Sequence, residues 1–159
     1  MLKLTDDDFN RLVAYMKKNY GINLDKKRIL IEGRLSNMVA QRGFKSFKEF
    51  IDFAFADRTG NETMQLVNKL TTNHTFFMRE PEHFEFLKST IMPQMEKENA
   101  ATRTLNFWCA ASSTGQEPYT LIMTIDDYLG AKASAWNVRL LATDLDTEVL
   151  KIAQAGIYT

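Results

Sequence analysis

The chain has 159 residues, 45% of them hydrophobic, a share that supplies the core of one ordinary domain or two small ones and excludes a disordered tail. Its 20 Lys and Arg balance 20 Asp and Glu, so net charge points to no nucleic acid, and an electrostatic partner has to be sought in a local patch. One Cys and two His exclude an internal disulfide and leave no metal-ligand cluster, which fits a reducing compartment. The segment MLKLTDDDFN turns acidic where a signal peptide needs its apolar part, and no apolar run is long enough to span a bilayer. A cytoplasmic protein without membrane insertion is expected.

Residues 1–70 read as a bundle of short helices. In TDDDFNRLVAYMKK, Phe9, Leu12, Val13 and Met16 recur at helical spacing, Thr5 is placed to cap, and acids and lysines occupy the first and last turns. LDKKRILIEGRLSNMVAQRG repeats the logic, with Asp25 as the expected cap, Ile31, Leu35, Met38 and Val39 as the buried stripe, and Gly43 as the left-handed stop. Gly33 inside this helix lowers its propensity. SFKEFIDFA opens on a capping box, Ser46 to Glu49, and is expected to bury Phe47, Phe50, Ile51 and Ala54. NETMQLVNKL supplies a fourth helix through Met64, Val67 and Leu70.

The second helix is locally basic. Residues 25–42 hold Lys26, Lys27, Arg28, Arg34 and Arg42 against Asp25 and Glu32, a net of +3 in a neutral chain. Lys27 and Arg34 are seven apart and share a face. A solvated helix face and a seat for an acidic partner both account for that pattern.

TTNHTFFMRE, residues 71–80, carries more chemistry than a linker needs. Beyond it, Pro81 suits a first helical turn, and Phe84, Leu87, Ile91 and Met95 repeat at near-helical intervals until Pro93, which should bend or end the helix. TLNFWCAA then reads as a strand, SSTGQ as a turn, EPYTLIMTIDDYLG as a helix stopping at Gly130, WNVRLLATD as another buried strand, and DTEVLKIAQAG as a capped helix ending at Gly156. Strand, turn, helix, strand, helix is the opening of a doubly wound parallel sheet. Such an opening supports nucleoside-cofactor binding: the small-residue turn CAASSTGQEP admits close approach of backbone N–H groups, and Asp144, closing the second strand, can accept hydrogen bonds from both hydroxyls of a ribose. Against this, the turn has one glycine, Gly115, where a dinucleotide fingerprint has three, and an Asp at a strand end also serves as a helix cap.

Three stretches in this order, NHTFFMRE with HFEFL, FWCAASSTGQEPYTLIMTI, and LLATDLDTEVLKIAQAGIY, resemble the chemoreceptor glutamate methyltransferases of bacterial chemotaxis, the CheR family. The resemblance implies an all-α N-terminal helical bundle followed by the first β-α-β portion of an α/β Rossmann-like, S-adenosylmethionine-dependent methyltransferase domain. It divides the chain into a receptor-recognition domain at 1–70, a linker at 71–80 contributing to the cofactor site, and an incomplete methyltransferase domain at 81–159. The family's cofactor-surrounding Asn, Thr and Arg fall on Asn73, Thr75 and Arg79, its Glu-Pro-Tyr acid on Glu117, and its strand-closing acid on Asp144. The residue expected to hold a carboxylate in the reaction, that of cofactor or substrate, is Arg79. The implied reaction moves a methyl group from S-adenosylmethionine to a receptor glutamate, leaving S-adenosylhomocysteine and a methyl ester, without a metal. The implied partners are the acidic methylation helices of methyl-accepting chemotaxis proteins, met by Lys27, Arg34 and Arg42. Structural alternatives stand beside these roles: Asn73 and Thr75 as capping or turn residues, Arg79 paired with Glu80 or Glu82, Glu117 as a helix-dipole partner. Phe76 and Phe77 are read as core.

The chain departs from the family pattern at Gln116, where a second Glu is usual, and at Met78, where an aromatic is usual. Two strands also fall short of the roughly five or six of a typical sheet. The expectation is an N-terminal fragment, inactive alone and able to associate through its open sheet edge or by swapping elements. Two rivals remain: a non-catalytic receptor-docking or regulatory module, and a nicotinamide-dependent Rossmann enzyme, which the missing glycines disfavour.

Overall fold

In the computed structural model, which describes residues 2–159, the Thr5 hydroxyl accepts the Asp8 N–H and starts α1 (Asp6–Tyr20), and Gly21 closes it with φ 69°. Contacts divide the chain into two units, one ending at Thr72 and the other spanning Asn73–Thr159.

In the first unit, α2 (Arg28–Gln41) begins later than its sequence suggests. Asp25 does not cap it: the turn Lys27 N–H to Leu24 carbonyl delays the start, and Lys27 takes the cap position with no side-chain hydrogen bond. Gly33 leaves the helix unbroken. α3 (Phe47–Ala56) has the expected box: Ser46 Oγ accepts the Glu49 N–H, and the Glu49 carboxylate accepts the Lys45 N–H at 2.8 Å. In α4 (Asn61–Leu70) the buried residues are Thr63, Leu66, Val67 and Leu70; Leu66 takes the place expected for the half-exposed Met64. One core joins the four helices, with Leu12, Ile31, Leu35, Phe47, Phe50 and Leu66 fully buried.

The second unit opens with α5 (Pro81–Phe86), a π turn (Leu87–Ile91) and α6 (Met92–Glu98). Pro93 does not end the run: the chain continues from α5 through the π turn into α6. The missing N–H and bulky ring of Pro93 are accommodated by the wider π turn, in which Met92 N–H reaches the Leu87 carbonyl. That turn adds a residue to the repeat, so Met92, and not Ile91, is the fully buried side chain. Next come β1 (Thr104–Ala110), α7 (Gln116–Leu129), a 3₁₀ turn (Gly130–Ala135), β2 (Asn137–Thr143) and α8 (Thr147–Ala155). β1 and β2 pair in parallel from Thr104 opposite Asn137 to Ala110 opposite Thr143. Met92, Leu105, Ile125 and Leu129 form the buried cluster on one face of this sheet. The other face corrects the buried-strand reading of β2: the register partners Trp108 and Leu141 are 71% and 60% exposed. The architecture is thus an all-α bundle followed by a partial Rossmann-like α/β portion with the β-α-β order implied by the sequence.

Candidate functional site

Both parallel strands end at the same edge of the sheet, and two loops leave it there. The loop after β1 is tightly turned: Ala111, Ser113 and Gly115 all have positive φ, at 61°, 49° and 101°. Two of these are not glycine, a conformation that costs about 1–3 kcal/mol per residue and persists only where surrounding contacts impose it. Those contacts are present. Ser112 N–H donates to the Thr143 carbonyl at 2.9 Å, and Ser113 N–H donates to Asp144 Oδ2 at 2.8 Å. Asp144 Oδ1 accepts the Asp146 N–H at 2.8 Å, so one carboxylate ties the two loops together. Gly115 has no alternative: a Cβ there would lie 2.3 Å from the Tyr158 hydroxyl and 2.9 Å from Ala153 Cβ.

The stretch 73–80 joins this framework through its first residue. Asn73 Nδ2 donates to Asp146 Oδ2 at 2.6 Å, and the Asn73 carbonyl accepts from Ser113 Oγ at 2.9 Å. Asp146 also caps α8, accepting the Glu148 and Val149 N–H groups. The amide of Asn73 is therefore committed to the loops. Six residues on, Arg79 Nη1 donates to the His74 carbonyl at 2.7 Å, and its Nε lies 4.0 Å from Glu80. The guanidinium has five N–H donors, so most remain for another acceptor.

A cavity of about 320 Å³ brings together three of the predicted residues, Thr75, Arg79 and Glu117, with Glu80, His83 and Phe84. Asn73 and Asp144 do not line it; they hold the loops beside it. Glu117 stands in the first turn of α7, where its charge suits the helix dipole, and accepts the thiol proton of Cys109 at 3.4 Å. Burial first, then the Glu117 and Asp144 carboxylates, push the Cys109 thiol up to about 12. Phe76 and Phe77 are not core: they are 52% and 38% exposed, because the turn at 77–80 holds them at the surface, Phe77 edge-on to Tyr158 at 5.0 Å.

Sequence reasoning missed Ser113, Cys109 and Tyr158 as parts of this framework. Small-residue composition was the only trace of Ser113; Asp146 was foreshadowed by the cap of α8. Tyr158 donates to the Thr114 carbonyl at 2.7 Å, a long-range contact that no local pattern announces.

In the first unit, the three basic residues singled out from sequence differ. The Arg34 guanidinium donates to the Leu70 carbonyl at 3.1 Å and to Thr72 Oγ1 at 3.1 Å, closing the C-terminus of α4. Arg42 pairs with Glu62 at 2.6 Å and stacks over Phe44, Phe50 and Phe53. Lys27 is exposed. Among the described residues no helix is long and apolar enough to cross a membrane, and no group of three or more His, Cys, Asp or Glu is placed to hold a metal ion.

Comparison with known proteins places both units. Residues 7–71 match the "CheR methyltransferase, all-alpha domain" and residues 73–159 the "CheR methyltransferase, SAM binding domain". The chain is 40% identical over 161 residues to a chemotaxis protein methyltransferase of Borreliella burgdorferi, covering 99% of this chain and 56% of the relative. It is 37% identical over 156 residues to chemotaxis protein methyltransferase 1 of Pseudomonas aeruginosa, at 95% and 56% coverage. It is 36% identical over 160 residues to the Escherichia coli chemotaxis protein methyltransferase, at 99% and 52%. The chain spans about half the length of these relatives, and it belongs to the CheR methyltransferase family.

Proposed function

We propose that the full-length gene product transfers a methyl group from S-adenosylmethionine to glutamate side chains of chemoreceptors in the cytoplasm, and that this chain supplies receptor recognition and the first part of the cofactor site. In this reading residues 1–70 address the receptor, 71–80 contribute to the cofactor site, and 81–159 begin the methyltransferase domain. The observation that carries it is the convergence of Thr75, Arg79 and Glu117 on one cavity beside loops pinned by Asp144.

The donor set fits the cofactor. Arg79 offers a cation with spare donors for a carboxylate, Glu117 offers an acceptor for a hydroxyl, Asp144 beside the cavity would accept a ribose hydroxyl only through the lone pairs left over from Ser113 and Asp146 N–H, and the Ser112 hydroxyl in the loop after β1 is buried without a protein partner. Asn73 would act through Asp146 and Ser113, keeping the loops in place. When bound, S-adenosylmethionine supplies a methyl group activated by a sulfonium. A glutamate side chain is ionised near neutral pH, so the chain needs no general base; its task is to orient the carboxylate and exclude water. Arg79 is the residue best suited to orienting a carboxylate, whether of cofactor or substrate.

Arg79→Ala in the full-length protein should lower cofactor affinity or base-labile methyl transfer to receptor by well over tenfold, because a charge-assisted contact is lost. A variant that retains both would remove Arg79 from the site. Of the basic residues on the first unit, Lys27 is proposed to meet the acidic methylation helix directly. Arg34 and Arg42 would add charge to that face while holding their own intramolecular partners.

A further inference from the structure

Arg79 stands between two residues in a sparsely populated backbone conformation. Met78 has φ 59° and Glu80 φ 54°, and neither is glycine. With Ala111 and Ser113 they make up four of the five described non-glycine residues at positive φ, so this strain is concentrated where the candidate site lies. It persists only where contacts impose it. Thr143 and Asp144 hold the loop after β1. At Glu80 the cause is partly local, because Pro81 disfavours the right-handed helical region for the residue before it. Met78 has no such neighbour, and its side chain is 48% exposed, so core packing does not impose its backbone either.

The contact that holds Met78 comes from α7. Thr120 is fully buried, and its hydroxyl accepts the Met78 N–H at 3.3 Å while donating to the Gln116 carbonyl at 2.7 Å. One side chain thus joins the strained turn to the first turn of α7, which carries Glu117. Residues 117, 120, 121 and 124 share a helix face, and Glu117 and Leu121 line the cavity with Arg79. Thr124 shows what the same residue type does without the second bond. Its hydroxyl donates back to the Thr120 carbonyl at 2.8 Å, and among the described residues it takes nothing from the turn. Back-bonding of this kind does not itself favour a helix, so the bond to Met78 is what distinguishes Thr120.

We propose that Thr120 is a positioning residue of the candidate site: its buried hydroxyl fixes the left-handed turn that directs Arg79 to the cavity it shares with Glu117. The role rests on the cofactor reading of that cavity and deepens it. Without the hydroxyl the turn relaxes, and the guanidinium loses the fixed geometry that a carboxylate contact needs.

The test uses the full-length protein and the variants Thr120→Val, Thr120→Ala, Thr120→Ser, Thr124→Val and Arg79→Ala. Calorimetry gives the dissociation constant of S-adenosylhomocysteine, and base-labile methyl label gives the receptor KM and kcat. Thr120→Val, which keeps the volume and removes the hydroxyl, should weaken about tenfold the same parameter that Arg79→Ala weakens. Thr120→Ala should do the same, which covers a valine that disturbs the buried site. Thr120→Ser should restore the parameter to within about threefold of wild type, and Thr124→Val should leave it unchanged. A Thr120→Val protein indistinguishable from wild type or from Thr124→Val overturns the role. So does a loss that falls on a parameter Arg79→Ala leaves alone, since that marks a general structural effect. Failure of the wild type to bind S-adenosylhomocysteine removes the cofactor reading itself, and the positioning role with it; wild-type binding with an unaffected Thr120→Val removes Thr120 alone.

Discussion

Cys109 shows how one side chain ties fold to site. It is 3% exposed, its thiol donates to Glu117, and burial with two nearby carboxylates pushes its pKa up to about 12. The thiolate is the reactive form, so native Cys109 should resist iodoacetamide at pH 8 and react only on unfolding. Labelling at the rate of a free thiol would contradict the assigned environment. The raised value also means that its contribution to stability, present below the ordinary thiol pKa, is lost as pH rises toward 12. Thr75, Arg79 and Glu117, singled out from the sequence, line one cavity. The partners of Asn73 were not legible, because its bond to Asp146 spans 73 residues and depends on where two loops meet.

Local chemistry made most elements readable. Thr5, Ser46 and Asp146 each accept a backbone N–H at a helix start, and Gly21 and Gly156 end helices in the left-handed region. Where the reading failed, a contact or an irregular turn intervened. Asp25 lost its role to a turn closed by Lys27, and the π turn before Pro93 shifted burial from Ile91 to Met92. The β2 pattern of apolar residues could not tell a covered face from an open one, which is why Leu141 was misread. The β1–α7 turn offers the sharpest test at this scale. Gly115→Ala combines φ 101° with a contact to Ala153 and displaces the Tyr158 hydroxyl from the Thr114 carbonyl. It should destabilise the second unit by about 2–3 kcal/mol in chemical denaturation. A loss below about 0.5 kcal/mol would show that the turn is not constrained as described.

At the scale of the whole molecule, the sequence changes from helical periodicity to strand, turn and helix near residue 71, and contacts divide the chain after Thr72. The acid response should follow the surface carboxylates of each unit. Asp52 is held below its usual pKa by hydrogen bonds from Lys48 and Arg11, and Asp57 by the Glu62 N–H and by Thr59. Glu96 is lowered by Lys132 and Tyr128. A depressed folded value gives stability above the unfolded carboxylate pKa, near 4, that disappears as pH falls through the folded values. Urea midpoints should therefore fall between about pH 4 and pH 2, and Asp57→Asn should flatten part of that slope. A midpoint independent of pH in that window would contradict the ion-pair assignments.

In the proposed reading, the loops pinned by Asp144 and the cavity at Arg79 serve S-adenosylmethionine and not a nicotinamide dinucleotide. Calorimetric titration of the full-length protein tests it most directly. Saturable one-to-one binding of S-adenosylhomocysteine is expected, weakened at least tenfold by Asp144→Ala, with no heat from NAD. Binding of NAD, or S-adenosylhomocysteine affinity unchanged in Asp144→Ala, would contradict it.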